Sequence, residues 1–216
     1  MSHQHEHDHE DVTPTEPVTF WEDRYASADQ IWSGKVNHAL VQVVAHLTPG
    51  RVLDLGCGEG GDAIWLASQG WHATGVDISE TAVGRARAAA TSAGLGEDQA
   101  RFVAANLATW TSEDPYDLVT ASFLQSPVEL PRVDILRRVA QQVVPGGRLL
   151  VVAHAAMPPW GRGAAHHHEF VSPEDEVAAL GLDGWTTEIA EVRSREATGP
   201  NGEQAVLDDT VVLLRR

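Results

Sequence analysis

The chain has 216 residues, of which 43% are hydrophobic and 21% charged, a size and composition that suit one well-cored domain with small attachments. Its 31 acidic and 15 basic residues leave a formal net charge of −16, which phosphate backbones and anionic lipid repel, so neither nucleic acid nor a membrane surface is an expected partner. The single cysteine, Cys57, excludes an intramolecular disulfide and fits a reducing cytoplasm. No apolar run approaches a membrane span, and the N-terminus lacks the basic-then-apolar order of a signal peptide.

Residues 1–16 carry almost no apolar side chains and are expected to be disordered. Within them His3, His5, His7 and His9 alternate with Gln, Glu and Asp. A solvated tail accounts for that composition; loose transition-metal binding by the imidazoles, or an added tag, are the other readings. From Pro17 the chain reads as a helical lid over residues 17–48. It holds a dense aromatic set, Phe20, Trp21, Tyr25 and Trp32, then "KVNHALVQVVAHL" at helical spacing, closed by Pro49 and Gly50.

Strands and helices then alternate. "RVLDL" is a predicted strand and "GGDAIWLASQG" a helix ended by Gly70. "HATGVDI" is a strand, followed by a helix with Ser79 as N-cap and Gly94 past its end. "ARFVAAN" and "YDLVTASF" are strands, "PRVDILRRVAQQVV" is a helix stopped by "PGG", and "GRLLVVAH" is a fifth strand. This alternation predicts an α/β, doubly wound, Rossmann-like sheet that is mostly parallel. After it comes a short helix capped by Ser172 with Pro173 at its first position, then two strands joined as a hairpin, which adds an antiparallel C-terminal pair at one edge.

The stretch "RVLDLGCGEGGDA" places Gly56, Gly58 and Gly60 between a strand and a helix, and Asp77 follows at the end of the second strand, where an acceptor for ribose hydroxyls belongs. Two ligand classes compete for such a turn. A nicotinamide dinucleotide sets its pyrophosphate on the helix N-terminus, whereas S-adenosylmethionine brings an ammonium and a sulfonium. Asp54, two residues before the first glycine, decides against the phosphate, since like charges ~4 Å apart cost on the order of a few kcal/mol at an intermediate dielectric.

"VLDLGCGEG" followed by "VDIS" resembles motifs one and two of class I S-adenosylmethionine-dependent methyltransferases, and the similarity runs from about Phe20 to about His154. "FWEDRYA" and the tail after His154 resemble the small-molecule branch that includes thiopurine-type and tellurite-resistance-type methyltransferases. The resemblance implies a seven-stranded sheet with a reversed last strand. It also implies that Asp54 and the backbone of Gly56 and Gly58, with the small Cys57 between them, hold the methionine end of the cofactor. Asp77 would take the ribose hydroxyls and Ile78 would pack on the adenine. Asn106, with Leu107 beside it, would read the adenine amino group where the family more often has an aspartate. Ser122 and Phe123 would lie beneath the transferring methyl.

The implied reaction is an in-line displacement that relies on alignment, with a base needed only for an acceptor protonated at neutral pH. Candidate acceptor contacts are Trp21, Tyr25 and Trp32 of the lid, Phe123 and Gln125 after the fourth strand, and the aperiodic loop 155–172 with Trp160, His166, His167 and His168. His154, at a strand's C-terminal end, is the candidate general base. Consecutive histidines alternate sides in an extended chain, which disfavours a tight metal site. The expected partner is a small-molecule acceptor, and the expected state a monomer or homodimer. The alternatives are a non-catalytic cofactor- or metal-binding protein and a nicotinamide-linked oxidoreductase.

Overall fold

A computed structural model of the chain describes residues 16–161, 170–199 and 201–216; the histidines of the tail and of the loop run 166–168 lie outside them. Helix α1 (Pro17–Ala26) starts with proline, whose fixed φ suits a first helical turn. Helix α2 (His38–Val44) is capped by Asn37, whose Oδ1 accepts the amides of Ala39 and Leu40 at 2.9 and 3.2 Å. There follow β1 (Arg51–Leu55), α3 (Gly61–Ser68), β2 (His72–Asp77), α4 (Glu80–Ser92), β3 (Ala100–Ala104), β4 (Tyr116–Ser122), α5 (Arg132–Ala140), β5 (Val143–His154), a single 3-10 turn (Pro159–Gly161), α6 (Pro173–Leu180), β6 (Thr186–Thr198) and β7 (Gln204–Arg215). Ser79 and Ser172 cap α4 and α6 as their sequences require, each hydroxyl accepting an amide three residues on.

The strands form one sheet in the order β3-β2-β1-β4-β5-β7-β6. All neighbours from β3 to β5 are parallel, and β7 runs antiparallel to both β5 and β6. The antiparallel pair is therefore present, but β7 lies inside the sheet and β6 forms the edge. The side chains explain this order. Val211, Val212, Leu213 and Leu214 of β7 are buried, whereas β6 alternates Glu, Arg and Thr with small residues and buries none completely. The "PGG" segment, expected as a helix stop, is instead the irregular first part of β5, with a register shift opposite Tyr116 and Leu118.

Two apolar layers sandwich the sheet. Alternate residues feed each: Val52, Leu118, Leu150 and Val211 point to the layer with α2, α3 and α4, while Leu53, Val119, Leu149 and Val212 point to the layer with α5 and α6. The parallel strands end at one rim, at Leu55, Asp77, Ala104, Ser122 and His154. The strand order reverses between β1 and β4, and that switch point opens a crevice at the same rim. Pairing of β5 with β7 stops at His154–Asp209, but β6 and β7 stay paired for five more residues to Thr198–Gln204, so the hairpin overhangs the rim by about 16 Å.

Candidate active site

The glycine turn leaves the C-terminal end of β1 and enters α3. Four of its amides are engaged internally: Gly56 and Cys57 donate to the Val76 carbonyl, Gly58 donates to Asp77 Oδ2 at 2.8 Å, and Gly60 donates to the Cys57 carbonyl. A phosphate-binding turn keeps such amides free to cradle the anion. Here they hold the turn itself, so the amides of Gly56 and Gly58 are not the donors that a cofactor meets.

Three carboxylates surround this turn. Asp54 is buried on β1 and accepts the Thr120 hydroxyl at 2.8 Å. Asp77 is buried at the end of β2, where its second oxygen accepts the Ser79 amide at 3.0 Å. Asp62, in the first turn of α3, accepts the Asn37 amide at 2.7 Å. No basic side chain among the described residues forms an ion pair with any of the three. Burial lifts all three above the usual carboxylate range. The negative charge of Asp62 lifts Asp54 further, while the amides donated to Asp62 and Asp77 offset part of their rise. Burial, with Asp77 and Asp54 nearby, also pushes the Cys57 thiol up, which leaves it a packed side chain rather than a nucleophile.

The N-terminal segment closes over the turn. A side chain on Gly58, which has φ +52°, would reach 2.9 Å from the Tyr25 hydroxyl and 3.3 Å from Trp32, so the lid and the glycine are fitted to each other. The Trp32 indole donates to the Tyr25 hydroxyl at 2.9 Å, and burial together with Asp77 pushes that phenol well above its usual range. Three residues outside the sequence expectations anchor this segment. Glu22 accepts the hydroxyls of Ser79 (2.6 Å) and Thr81 at the start of α4. Glu59 accepts the amides of Ile31 and Trp32 and pairs with Arg85 at 2.9 Å; Arg85 in turn donates to the carbonyls of Tyr25 and Ala28. Trp21 spans the crevice to Ser126 Oγ at 3.2 Å.

Toward the adenine side the outcome is divided. Ile78 is half-buried beside Asp77. Asn106 turns its Oδ1 back to the Ala108 amide (2.9 Å), and Leu107 is buried in the core with Leu53 and Val76, so that pair is less available to a base than expected. Ser122 ends β4 with its hydroxyl buried and set toward Asp62, whose charged form it favours. Phe123 follows with φ +54°, unusual for a bulky side chain.

The His154 ring stacks on Phe123, with centroids 4.2 Å apart, and its Nδ1 faces Asp209 Oδ1 at 3.3 Å. Asp209 is 2% exposed and its other oxygen accepts from Arg195 Nε at 2.5 Å. The Arg195 guanidinium also lies 5.5 Å from the Phe123 ring centroid. Gln125 accepts the His154 amide, and Trp160 packs on Gly199 at the hairpin tip. The sequence gives no sign of Asp209 or Arg195 as site residues, because the β5–β7–β6 register alone brings them to His154. Asp62 carries a local signal, an acid in the first turn after the glycines, that also reads as an ordinary helix-start residue.

Residues 52–147 match the family described as "Methyltransferase domain". Among curated relatives, the ubiquinone biosynthesis O-methyltransferase of Aeromonas salmonicida is 30% identical over 140 residues, 58% of this chain and 58% of the relative. The ribosomal RNA small subunit methyltransferase C of Alcanivorax borkumensis is 32% identical over 114 residues, 51% of this chain and 34% of the relative. The matches thus span little more than half of these relatives, or less. A protein solved in a study of the conversion of a disulfide bond into a thioacetal group during echinomycin biosynthesis superposes with a TM-score of 0.71 at 25% identity, covering 92% of both chains. The chain carries a methyltransferase domain over residues 52–147 and resembles the class I S-adenosylmethionine-dependent methyltransferases. TehB from Haemophilus influenzae shares the fold, with a TM-score of 0.68 at 18% identity over 90% of this chain and 66% of TehB.

Proposed function

We propose that this protein transfers the methyl group of S-adenosylmethionine to a sulfur, nitrogen, oxygen or chalcogen nucleophile of a small molecule by in-line displacement. One observation carries the reading: three carboxylates around a glycine turn have no cationic partner among the described residues, and the amides of Gly56, Cys57, Gly58 and Gly60 are already engaged within the turn. A ligand with positive charge satisfies both. Asp54 and Asp62 face the ammonium and sulfonium end, Asp77 takes the ribose hydroxyls, and Ile78 packs beside the adenine. The leaving group departs neutral, so the protein has mainly to align the donor and acceptor and keep water out. Trp21, Tyr25 and Trp32 provide that cover.

Trp160 and the rim beside His154 line the acceptor side. A small acceptor fits better than RNA, although an RNA-modifying enzyme is among the relatives, because a net charge of −16 repels a phosphate backbone. We place the activity in the cytoplasm and in a monomer or homodimer. Titration calorimetry with S-adenosylhomocysteine and with NAD tests the cofactor. The first is expected to bind and the second not; binding of NAD alone contradicts the reading. A turnover screen of thiols, hydroxyquinolines, phenols and tellurite then tests the acceptor.

A further inference from the structure

Asp209 lies on β7 directly opposite His154 of β5, 55 residues away in the chain. It is buried and accepts from two sides, Arg195 Nε on one oxygen and the His154 ring on the other. Both Asp209 oxygens are thus set as acceptors, one for the Arg195 Nε–H and the other for the His154 ring. The nitrogen facing it, Nδ1, must therefore carry the proton, and in the neutral ring Nε2 keeps its lone pair. The side chain of His154 is 32% exposed, so that lone pair is on a ring that a ligand can reach. Phe123, stacked beneath the ring, fixes its plane at the exit of β4, beside the switch point. The charged groups set against the imidazole are Asp209 and, behind it, Arg195; neighbouring Arg193 turns away to Glu191 and Gln42, and Asp208 to Ser194.

We propose that Asp209 and Arg195 are positioning residues that hold His154 as a general base, and that the acceptor is consequently a weakly acidic hydroxyl that must lose a proton, of the phenol or hydroxyquinoline kind. This rests on the methyltransferase reading and narrows its acceptor. As the acceptor oxygen forms its bond to the methyl carbon, the carbon–sulfur bond breaks and its electron pair stays on sulfur. The hydroxyl proton moves to His154 Nε2. The products are the methyl ether, neutral S-adenosylhomocysteine and a protonated imidazole, which returns its proton to water. A thiolate or a pyridine-type nitrogen would gain nothing from this arrangement.

Two measurements on the full-length protein test it. The first is the ¹⁵N spectrum of the His154 ring with S-adenosylhomocysteine present, assigned by its loss in His154→Gln. Nδ1 is expected as the protonated nitrogen and Nε2 as the bare one, with that preference weakened in Asp209→Asn. A ring protonated on Nε2 instead overturns the proposal. The second is turnover with 8-hydroxyquinoline against thiophenol over a pH series. His154→Gln is expected to lower kcat for the hydroxyl about 100-fold and erase the acid limb of its pH profile, while thiophenol methylation falls less than about threefold. Asp209→Asn should shift in the same sense by about tenfold. Equal losses for both acceptors, or turnover of thiophenol alone by the wild type, overturn it. A wild type that does not bind S-adenosylhomocysteine breaks the methyltransferase reading, whatever the ring spectrum gives.

Discussion

The two ends of the rim bury acidic groups under opposite conditions. Around β1 and β2, Asp54, Asp62 and Asp77 are enclosed by hydroxyls and amides but, among the described residues, by no cation. At β7, Asp209 is just as buried but is bracketed by Arg195 and His154. Burial alone raises a carboxylate's pKa and destabilises its charged form; a guanidinium beside it removes most of that penalty. The unpaired group is thus a charge imbalance that a cationic ligand corrects. The paired group is already balanced and serves to orient a neighbour. On the proposed reading, one fold holds a binding cluster and a positioning cluster, and they differ in whether an arginine stands beside the carboxylate.

The largest expected effect separates them at once. Asp54→Asn should weaken S-adenosylhomocysteine about 100-fold or more, as removing one partner of a buried charge pair costs about 2–5 kcal/mol. The same change should leave the free protein at least as stable in thermal denaturation, since it deletes an unpaired buried charge. Asp209→Asn should do the reverse. It should leave S-adenosylhomocysteine affinity within about threefold and lower stability by about 1–3 kcal/mol, read from urea midpoints, because it strands Arg195. If both substitutions stabilise, or both destabilise, the contrast fails.

A pH series sharpens the same point. The folded-state pKa of Asp54 lies above its unfolded value, so the folded protein binds the proton more tightly. This contribution favours the fold most below the unfolded pKa and is lost as pH rises through the raised folded value. Cation binding runs the other way, since it needs the charged form. Calorimetry should therefore find S-adenosylhomocysteine affinity falling as pH drops toward the raised carboxylate range. The free protein should meanwhile gain stability from this group, and Asp54→Asn should remove most of both trends.

The smallest expected effect concerns the lid. Glu22→Gln weakens the bonds to Ser79 and Thr81 that pin α1 to α4, and should raise the dissociation constant of S-adenosylhomocysteine about threefold to tenfold in the same titration. Since Glu22 is only partly buried, its direct contribution to stability should be modest. An unchanged affinity would mean that α1 does not participate in cofactor retention.

The cofactor side was legible in the sequence because it is local. Asp54, the glycines and Asp77 lie within 24 positions, and strand–turn–helix chemistry dictates what each must do. The helix caps Ser79 and Ser172 were readable for the same reason. The acceptor side was not. Asp209 reads as a polar residue within a strand, and its meaning depends on β7 inserting between β5 and β6, which a hairpin pattern does not specify. Asn106 and Leu107 show the other limit: family position implies an adenine contact, while in the structure a local turn engages the amide and the core takes the leucine. Asp62 was passed over because an acid at a helix start has an adequate local explanation.

The central claim is that the cluster around Asp54 binds a cation rather than a phosphate. The most direct measurement is calorimetric comparison of S-adenosylhomocysteine with 5′-methylthioadenosine, which keeps the adenosine and thioether but lacks the ammonium-bearing carbon chain, on the wild type and on Asp54→Asn. The account predicts that the wild type prefers S-adenosylhomocysteine by about 100-fold and that the substitution removes most of the preference. Equal affinities in the wild type, or a preference that survives Asp54→Asn, would contradict it.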